Sequence, residues 1–177
     1  MIYEPREDSF LLQEQVRKFA TGRVLDVGTG SGLQALAALE KTDDVEACDI
    51  NLEAVEYVKS KGVKAYQSDL FEKVKGKFDL IVFNPPYLPL DEAEDEESRI
   101  VTTGGKKGHE IIERFLKEAK SYLKENGIIL IVFSSLSGDV FKVLEEQNYG
   151  YEKLSEKKIF FESLYICKLR YGRDLVF

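Results

Sequence analysis

Asn84-Pro85-Pro86-Tyr87 puts a carboxamide, two prolyl carbonyls of fixed φ and an aromatic ring next to one another. The preceding run, Phe78-Asp79-Leu80-Ile81-Val82-Phe83, reads as a buried strand. Neither proline has an N–H to donate, so the strand must end and the chain must turn there. In open α/β sheets, ligands gather at the carboxyl ends of strands. The chemistry this set suits is the capture of a planar amino group for an incoming methyl. The lone pair of an amide or aromatic amine is delocalised, and it becomes reactive only when acceptors draw its N–H bonds out of their preferred geometry. The Asn84 side-chain carbonyl and the Pro85 backbone carbonyl are two such acceptors, and Tyr87 can stack on the flat group. The same acceptors stabilise positive charge growing on nitrogen, the mirror image of an oxyanion hole. No base of near-neutral pKa is required before transfer, which fits a chain whose one histidine, His109, reads as a helix start.

A second group of residues fits the donor of that methyl. Asp26-Val27-Gly28-Thr29-Gly30-Ser31-Gly32 follows a predicted strand and opens a helix, and its glycines let a ligand approach the backbone. Asp49 ends the next strand, where a carboxylate can accept both hydroxyls of a ribose. Ser68-Asp69-Leu70 follows the third strand, where Asp69 can accept from an adenine amino group. A dinucleotide site prefers G-x-G-x-x-G, so that a pyrophosphate rests on the helix N-terminus. Here Leu33 stands where the third glycine would fall, and Asp26 is placed to face a cation rather than a phosphate. S-adenosylmethionine, with an ammonium and no phosphate, suits this acid-lined loop better than a dinucleotide.

These groups must be positioned by alternating strands and helices. Strands are expected at 23–27, 45–49, 63–66, 78–83 and 128–133, and helices at 33–40, 52–61, 109–124 and 137–147. A helix at 9–20 precedes them with Ser9 as its N-cap, and two closing strands, 151–154 and 161–169, read as an antiparallel pair. Asn126-Gly127 is the expected stop of the 109–124 helix. The pattern predicts an α/β fold, Rossmann-like and doubly wound, with a mostly parallel seven-stranded sheet whose last strand is antiparallel. One domain over 1–177, opened by a short helical segment, is expected. The loop from Asn84 to Gly108 is long enough to be functional or disordered. It carries the acidic run 91–97, a solvated loop or a selector for basic protein surfaces, and Gly104-Gly105-Lys106-Lys107-Gly108, a plain flexible loop or one that orders on substrate binding.

Composition bounds the rest. Hydrophobic and charged fractions of 44% and 32% are those of an ordinary soluble protein, and no apolar run could span a bilayer. The acidic N-terminus is no targeting signal, and Cys48 and Cys167, both in predicted strands, are expected to be buried free thiols in a reducing cytoplasm. No metal-ligand spacing is present. A net charge of −7 disfavours nucleic acid as a broad partner. It leaves open adenine N6 as an acceptor, since Asn-Pro-Pro-Tyr serves any planar amine.

The pattern resembles the amino methyltransferases of the class I S-adenosylmethionine fold. Tyr3-Glu4-Pro5-Arg6-Glu7-Asp8-Ser9-Phe10 narrows it, being similar to the Y-E-P-x-E-D-[ST]-F signature of the archaeal and eukaryotic HemK-like release-factor glutamine methyltransferases. Gly104 to Gly108 followed by Glu110 is similar to that family's G-G-x-x-G segment, although Thr102-Thr103 stands where a more apolar residue is usual. The resemblance implies that Asp26, Gly28, Gly30, Asp49, Asp69 and Leu70 line the cofactor, with Ser9 and Asn84 touching it, and that Asn84, Pro85 and Tyr87 hold the substrate amide. It implies methylation of glutamine N5 in the Gly-Gly-Gln motif of a class I peptide chain release factor, leaving S-adenosylhomocysteine. Bacterial relatives carry an extra N-terminal helical domain, which is not expected within the 177 residues of this sequence. A small zinc-binding activator protein often accompanies the archaeal and eukaryotic branch, and the edge of strand three is one place for it.

Overall fold

The computed structural model describes residues 4–90 and 102–172. Among these residues the main sheet has seven strands: β1 Val24–Val27, β2 Val45–Asp49, β3 Lys64–Gln67, β4 Phe78–Phe83, β7 Leu123–Ser134, β8 Tyr149–Ile159 and β9 Glu162–Tyr171. Their order is β3-β2-β1-β4-β7-β9-β8, with β3 and β8 at the edges. The first five pair in parallel, and β9 runs antiparallel between β7 and β8. The doubly wound sheet with one antiparallel strand expected from sequence is therefore the fold found. In-register pairing, Val27 with both Cys48 and Phe83 and Asp49 with Gln67, brings the ends of β1 to β4 to one edge. Asp26, Asp49, Ser68 and Asn84 meet there.

Helices cover both faces. On one side lie α1 (Glu7–Phe19), α2 (Leu33–Leu39) and α3 (Leu52–Ser60), burying Leu12, Val16, Ala35, Val55 and Val58 against the sheet. On the other lie α4 (Glu110–Ala119) and α5 (Val140–Glu146). In α4 the buried residues Ile112, Phe115, Leu116 and Ala119 recur at helical spacing, one apolar stripe facing a polar one. Phe83, the last residue of β4, stacks on Phe115 at 4.3 Å between ring centroids, which fixes the point from which Asn84 departs.

Several boundaries differ from the sequence reading. Ser9 is not an N-cap: α1 begins at Glu7 with Arg6 in that position, so Ser9 is buried inside the first turn. The helix expected over 109–124 ends at Ala119 and continues as a 3-10 turn, Lys120–Tyr122, because Leu123 is recruited to pair with Phe78. Asn126-Gly127 therefore lies within β7, at a shift of register against β4. The long loop holds a small two-stranded ribbon, β5 (Leu88–Pro89) beside β6 (Thr103–Gly105). The closing hairpin is longer than expected because β8 and β9 pair from Tyr149–Tyr171 to Ile159–Glu162. Tyr3 of the N-terminal signature and the acidic run 91–97 lie outside the described residues.

Candidate active site

A cavity of about 1080 Å3 opens at the carboxyl ends of β1 to β4. Ser9, Asp26, Gly28, Gly30, Asp49, Asp69, Leu70, Asn84, Pro85 and Tyr87 all line it, so the fold brings every site residue chosen from sequence into one place.

The β1 turn is tied down by carboxylates. Asp26 is buried, and its Oδ2 accepts from Thr29 Oγ1 at 2.6 Å and from the Ala35 N–H at 3.1 Å. Burial pushes its carboxyl up to about 7, the Asp49 charge adds to the rise, and the two hydrogen bonds oppose it. Gly28 sits at φ 62°, a left-handed conformation that a side chain disfavours, and it faces the Phe83 ring. Asp49 accepts from the Gly30 N–H at 2.9 Å through Oδ2 and from the Asn51 N–H at 2.8 Å through Oδ1. The next point on the rim is Leu70, a non-glycine residue at φ 45° whose carbonyl accepts from Ser68 Oγ at 3.0 Å. Asp69 is paired with Arg114 of α4, Nη1 to Oδ2 at 3.1 Å, and both groups are well exposed.

The β4 side is held from further away. Asn84 Nδ2 donates to Asp8 Oδ2 at 3.3 Å and to Ser9 Oγ at 3.1 Å. The Tyr87 hydroxyl donates to the same Asp8 oxygen at 3.2 Å, and Asp8 Oδ1 accepts from the Ser9 N–H at 2.7 Å. A carboxylate only accepts, so the amide nitrogen of Asn84 must face Asp8 and its carbonyl oxygen is the other end. The glycine segment braces this loop from behind. A Cβ on Gly104 would run into the carbonyl oxygens of Pro86 and Gly108, so only glycine permits the approach. Glu110 accepts from the Lys107 and Gly108 N–H groups at 2.9 and 3.0 Å, closing the turn that leads into α4. The segment is thus packed against the reactive loop.

Asp8 is the residue that sequence reasoning quoted in a motif without assigning it to the site. The available signal was its position beside Ser9 in the Glu-Asp-Ser-Phe stretch. Gln34 was missed outright: it lines the cavity, donates to the Ser9 carbonyl at 2.9 Å and keeps a buried Oε1 without a partner. The acceptors on the β1 and β2 side, Asp26, Asp49 and Gln34 Oε1, fit an ammonium and a ribose diol. A diphosphate would find no cation in the glycine loop itself. Cys48 and Cys167 are free and buried, and burial pushes both thiols up to about 12, so neither is poised as a nucleophile. No helix among the described residues is long and apolar enough to cross a membrane.

Comparison with known proteins agrees with this geometry. Residues 7–161 match the model of the methyltransferase small domain. A chain of Methanocaldococcus jannaschii, named for protein N5-glutamine methyltransferase activity, is 38% identical, with coverage of 93% of this chain and 89% of the relative. A release factor glutamine methyltransferase of Rhodopirellula baltica is 37% identical over 74% of this chain, which spans only 51% of that longer protein. The solved Mtq2-Trm112 complex of E. cuniculi, titled as responsible for methylating the eRF1 translation termination factor, superposes with a TM-score of 0.77 at 28% identity, covering 97% and 99% of the two chains. The chain belongs to the methyltransferase small-domain family and, within it, to the protein N5-glutamine methyltransferases.

Proposed function

We propose that this protein transfers a methyl group to the side-chain amide nitrogen of the glutamine in the Gly-Gly-Gln motif of a class I peptide chain release factor. One observation carries the assignment of roles. Asn84 gives its amide N–H bonds to Asp8 and Ser9, so its carbonyl oxygen is left to accept from an incoming amide at the cavity wall. The names of the relatives favour glutamine over adenine as the acceptor.

S-adenosylmethionine supplies an electrophilic methyl on a sulfonium. For its binding, Asp26 Oδ1 and Gln34 Oε1 are the acceptors available to an ammonium, since Asp26 Oδ2 is committed to Thr29 and Ala35. Asp49 spends one lone pair of each oxygen on backbone N–H groups and keeps the others for ribose hydroxyls. Gly28 and Gly30 leave room for close approach, Ser9 lies beside Asn84, and Asp69 and Leu70 bound the adenine end.

The substrate amide is held by two acceptors, Asn84 Oδ1 and the Pro85 carbonyl, while Tyr87 stacks on its plane. Both N–H bonds are drawn toward those oxygens, and the nitrogen lone pair is turned toward the donor. Positive charge then grows on nitrogen as its bond to the methyl forms and the methyl–sulfur bond breaks, and it is discharged when one N–H proton is lost to solvent. Asp8, by accepting from Asn84 Nδ2, polarises the carboxamide and increases negative charge on its oxygen, where that positive charge is met. Tyr87 is kept in plane by its hydroxyl bond to the same carboxylate.

A small zinc-binding activator is part of this reading. The E. cuniculi neighbour was solved with Trm112, and here β3 is an edge strand of the sheet among the described residues. Light scattering is expected to show a one-to-one complex on mixing with such a protein, and an unchanged mass would remove this element. The enzymatic reading is tested by mass spectrometry of the release factor after incubation with enzyme and S-adenosylmethionine. One added methyl on the motif glutamine is expected; methyl transfer to adenine in DNA or RNA, with the release factor untouched, would overturn it.

A further inference from the structure

The β8–β9 hairpin closes through two residues, Phe160 and Phe161, because Ile159 pairs with Glu162. Two-residue hairpin turns favour Gly, Asn or Asp at positions of positive φ. Here such a position, φ 45°, is occupied by Phe160. Both rings lie in solvent, at 94% and 97% exposure. Among the described residues the two phenylalanines join no core cluster, and the backbone at Phe160 is strained. Local rules broken without a gain in packing point to function.

The tip is also held at a defined place. Ser135 and Ser163 exchange two hydrogen bonds, 2.9 and 3.0 Å, which pin the base of β9 to the end of β7. Lys157 pairs with Glu7, the residue before Asp8, which ties the β8 arm to the turn that orients Asn84. Ile159 and Phe160 themselves line the cavity that contains Asn84 and Tyr87. A side chain entering the cavity from a folded protein must bring the surface around it past this rim. Charges flanking the turn balance, with Glu156, Lys157 and Lys158 before it and Glu162 after it, so the tip offers apolar area rather than a field.

We propose that Phe160-Phe161 is a docking finger for the folded protein substrate, seating in an apolar depression beside the loop that carries the target glutamine. The proposal rests on the protein-glutamine reading above and adds the means by which a whole protein is recognised. Exposed aromatic side chains at the centre of a contact contribute disproportionately to affinity.

The experiment is steady-state methylation of full-length release factor by Phe161→Ser and, separately, Phe160→Gly. The glycine variant relieves the left-handed strain, so it is expected to melt no lower than the wild type. For each variant KM for the release factor is expected to rise about ten-fold or more, with kcat at saturation and cofactor affinity held in Phe161→Ser, whose ring does not line the cavity. An unchanged KM in both variants overturns the proposal. So does a change in self-association by light scattering, or in binding to phosphatidylserine vesicles, without a change in KM. Failure of the wild-type enzyme to methylate the release factor at all would sink the underlying reading; methylation by the wild type with KM unmoved in the variants sinks only the finger.

Discussion

On the β1–β2 side of the cavity, Asp26 and Asp49 are held by backbone and hydroxyl groups at most 19 residues away, in the same or the adjoining strand-to-helix connection. On the β4 side, Asn84 and Tyr87 are held by a carboxylate 76 and 79 residues away, at the start of a different helix. The two carboxylates of the donor site are thus held locally, although Gln34 beside them donates to the Ser9 carbonyl 25 residues away, while the acceptor site exists only when α1 has docked and the glycine segment has packed behind Pro86. A local site can bind its ligand whatever happens at the other end of the cavity. The acceptor site depends on several distant segments, so perturbing one of them should lower turnover while sparing cofactor affinity.

Asn84→Ala should break the comparison most visibly. It removes an acceptor needed in the transition state, so kcat is expected to fall by about 10²-fold or more, as for other groups that stabilise developing charge. Cofactor affinity, measured by calorimetry, is expected to stay within about three-fold. Near-normal turnover would end the assigned role. Asp8→Asn tests the long-range tie. It keeps the shape of the side chain while removing the charge that polarises Asn84, and kcat is expected to fall roughly 10- to 100-fold with cofactor affinity unchanged. A loss of cofactor affinity equal to the loss of kcat would mean that α1 serves both halves alike.

The same contrast explains what could be read from the sequence. The ends of β1, β2 and β4, the glycine turn and the carboxylates Asp26, Asp49 and Asp69 announce themselves through short-range signals: apolar runs, glycines and an acid near the end of each of β1, β2 and β3. The same signals misjudged Ser9, because an Asp-Ser pair before an apolar stripe reads as a cap, whereas here Asp8 is turned inward to serve Asn84. They missed the start of β7 as well, because Leu123 pairs across the sheet with Phe78 and nothing local marks it. Gly104 was legible only as part of a motif. Its physical reason, contact with the Pro86 carbonyl, appears once two segments far apart in the chain are laid together. Phe160-Phe161 was not read as a turn because Phe161 was expected to open the second closing strand and the first was expected to end at 154.

The donor half can be sharpened by pH. Burial holds the Asp26 carboxyl at about 7, above its ordinary 3.8, so in the unliganded fold it is largely protonated at pH 6. A cationic ligand selects the carboxylate, and affinity for S-adenosylmethionine is expected to rise about ten-fold from pH 6 to pH 8. Unliganded stability should move the opposite way. A folded pKa above the unfolded one gives a contribution that is complete below about pH 4 and lost as pH rises through about 7. Asp26→Asn is expected to flatten both profiles; an affinity profile that survives the substitution would place the titrating group elsewhere.

The smallest effect is expected at the adenine end, where Asp69 is the exception among the donor-side acids because its partner, Arg114, is 45 residues away on α4. The pair is exposed on both sides, and exposed ion pairs contribute at most about 1 kcal/mol. Arg114→Ala should therefore change cofactor affinity by less than about five-fold. Asp69→Ala is expected to do more, since it removes an acceptor for the adenine amino group as well as the ion pair. Equal losses in the two variants would show that Asp69 acts only through Arg114, and the adenine end would then belong with the long-range half of the cavity. A larger loss from Asp69→Ala keeps the line between the two halves where the hydrogen bonds draw it.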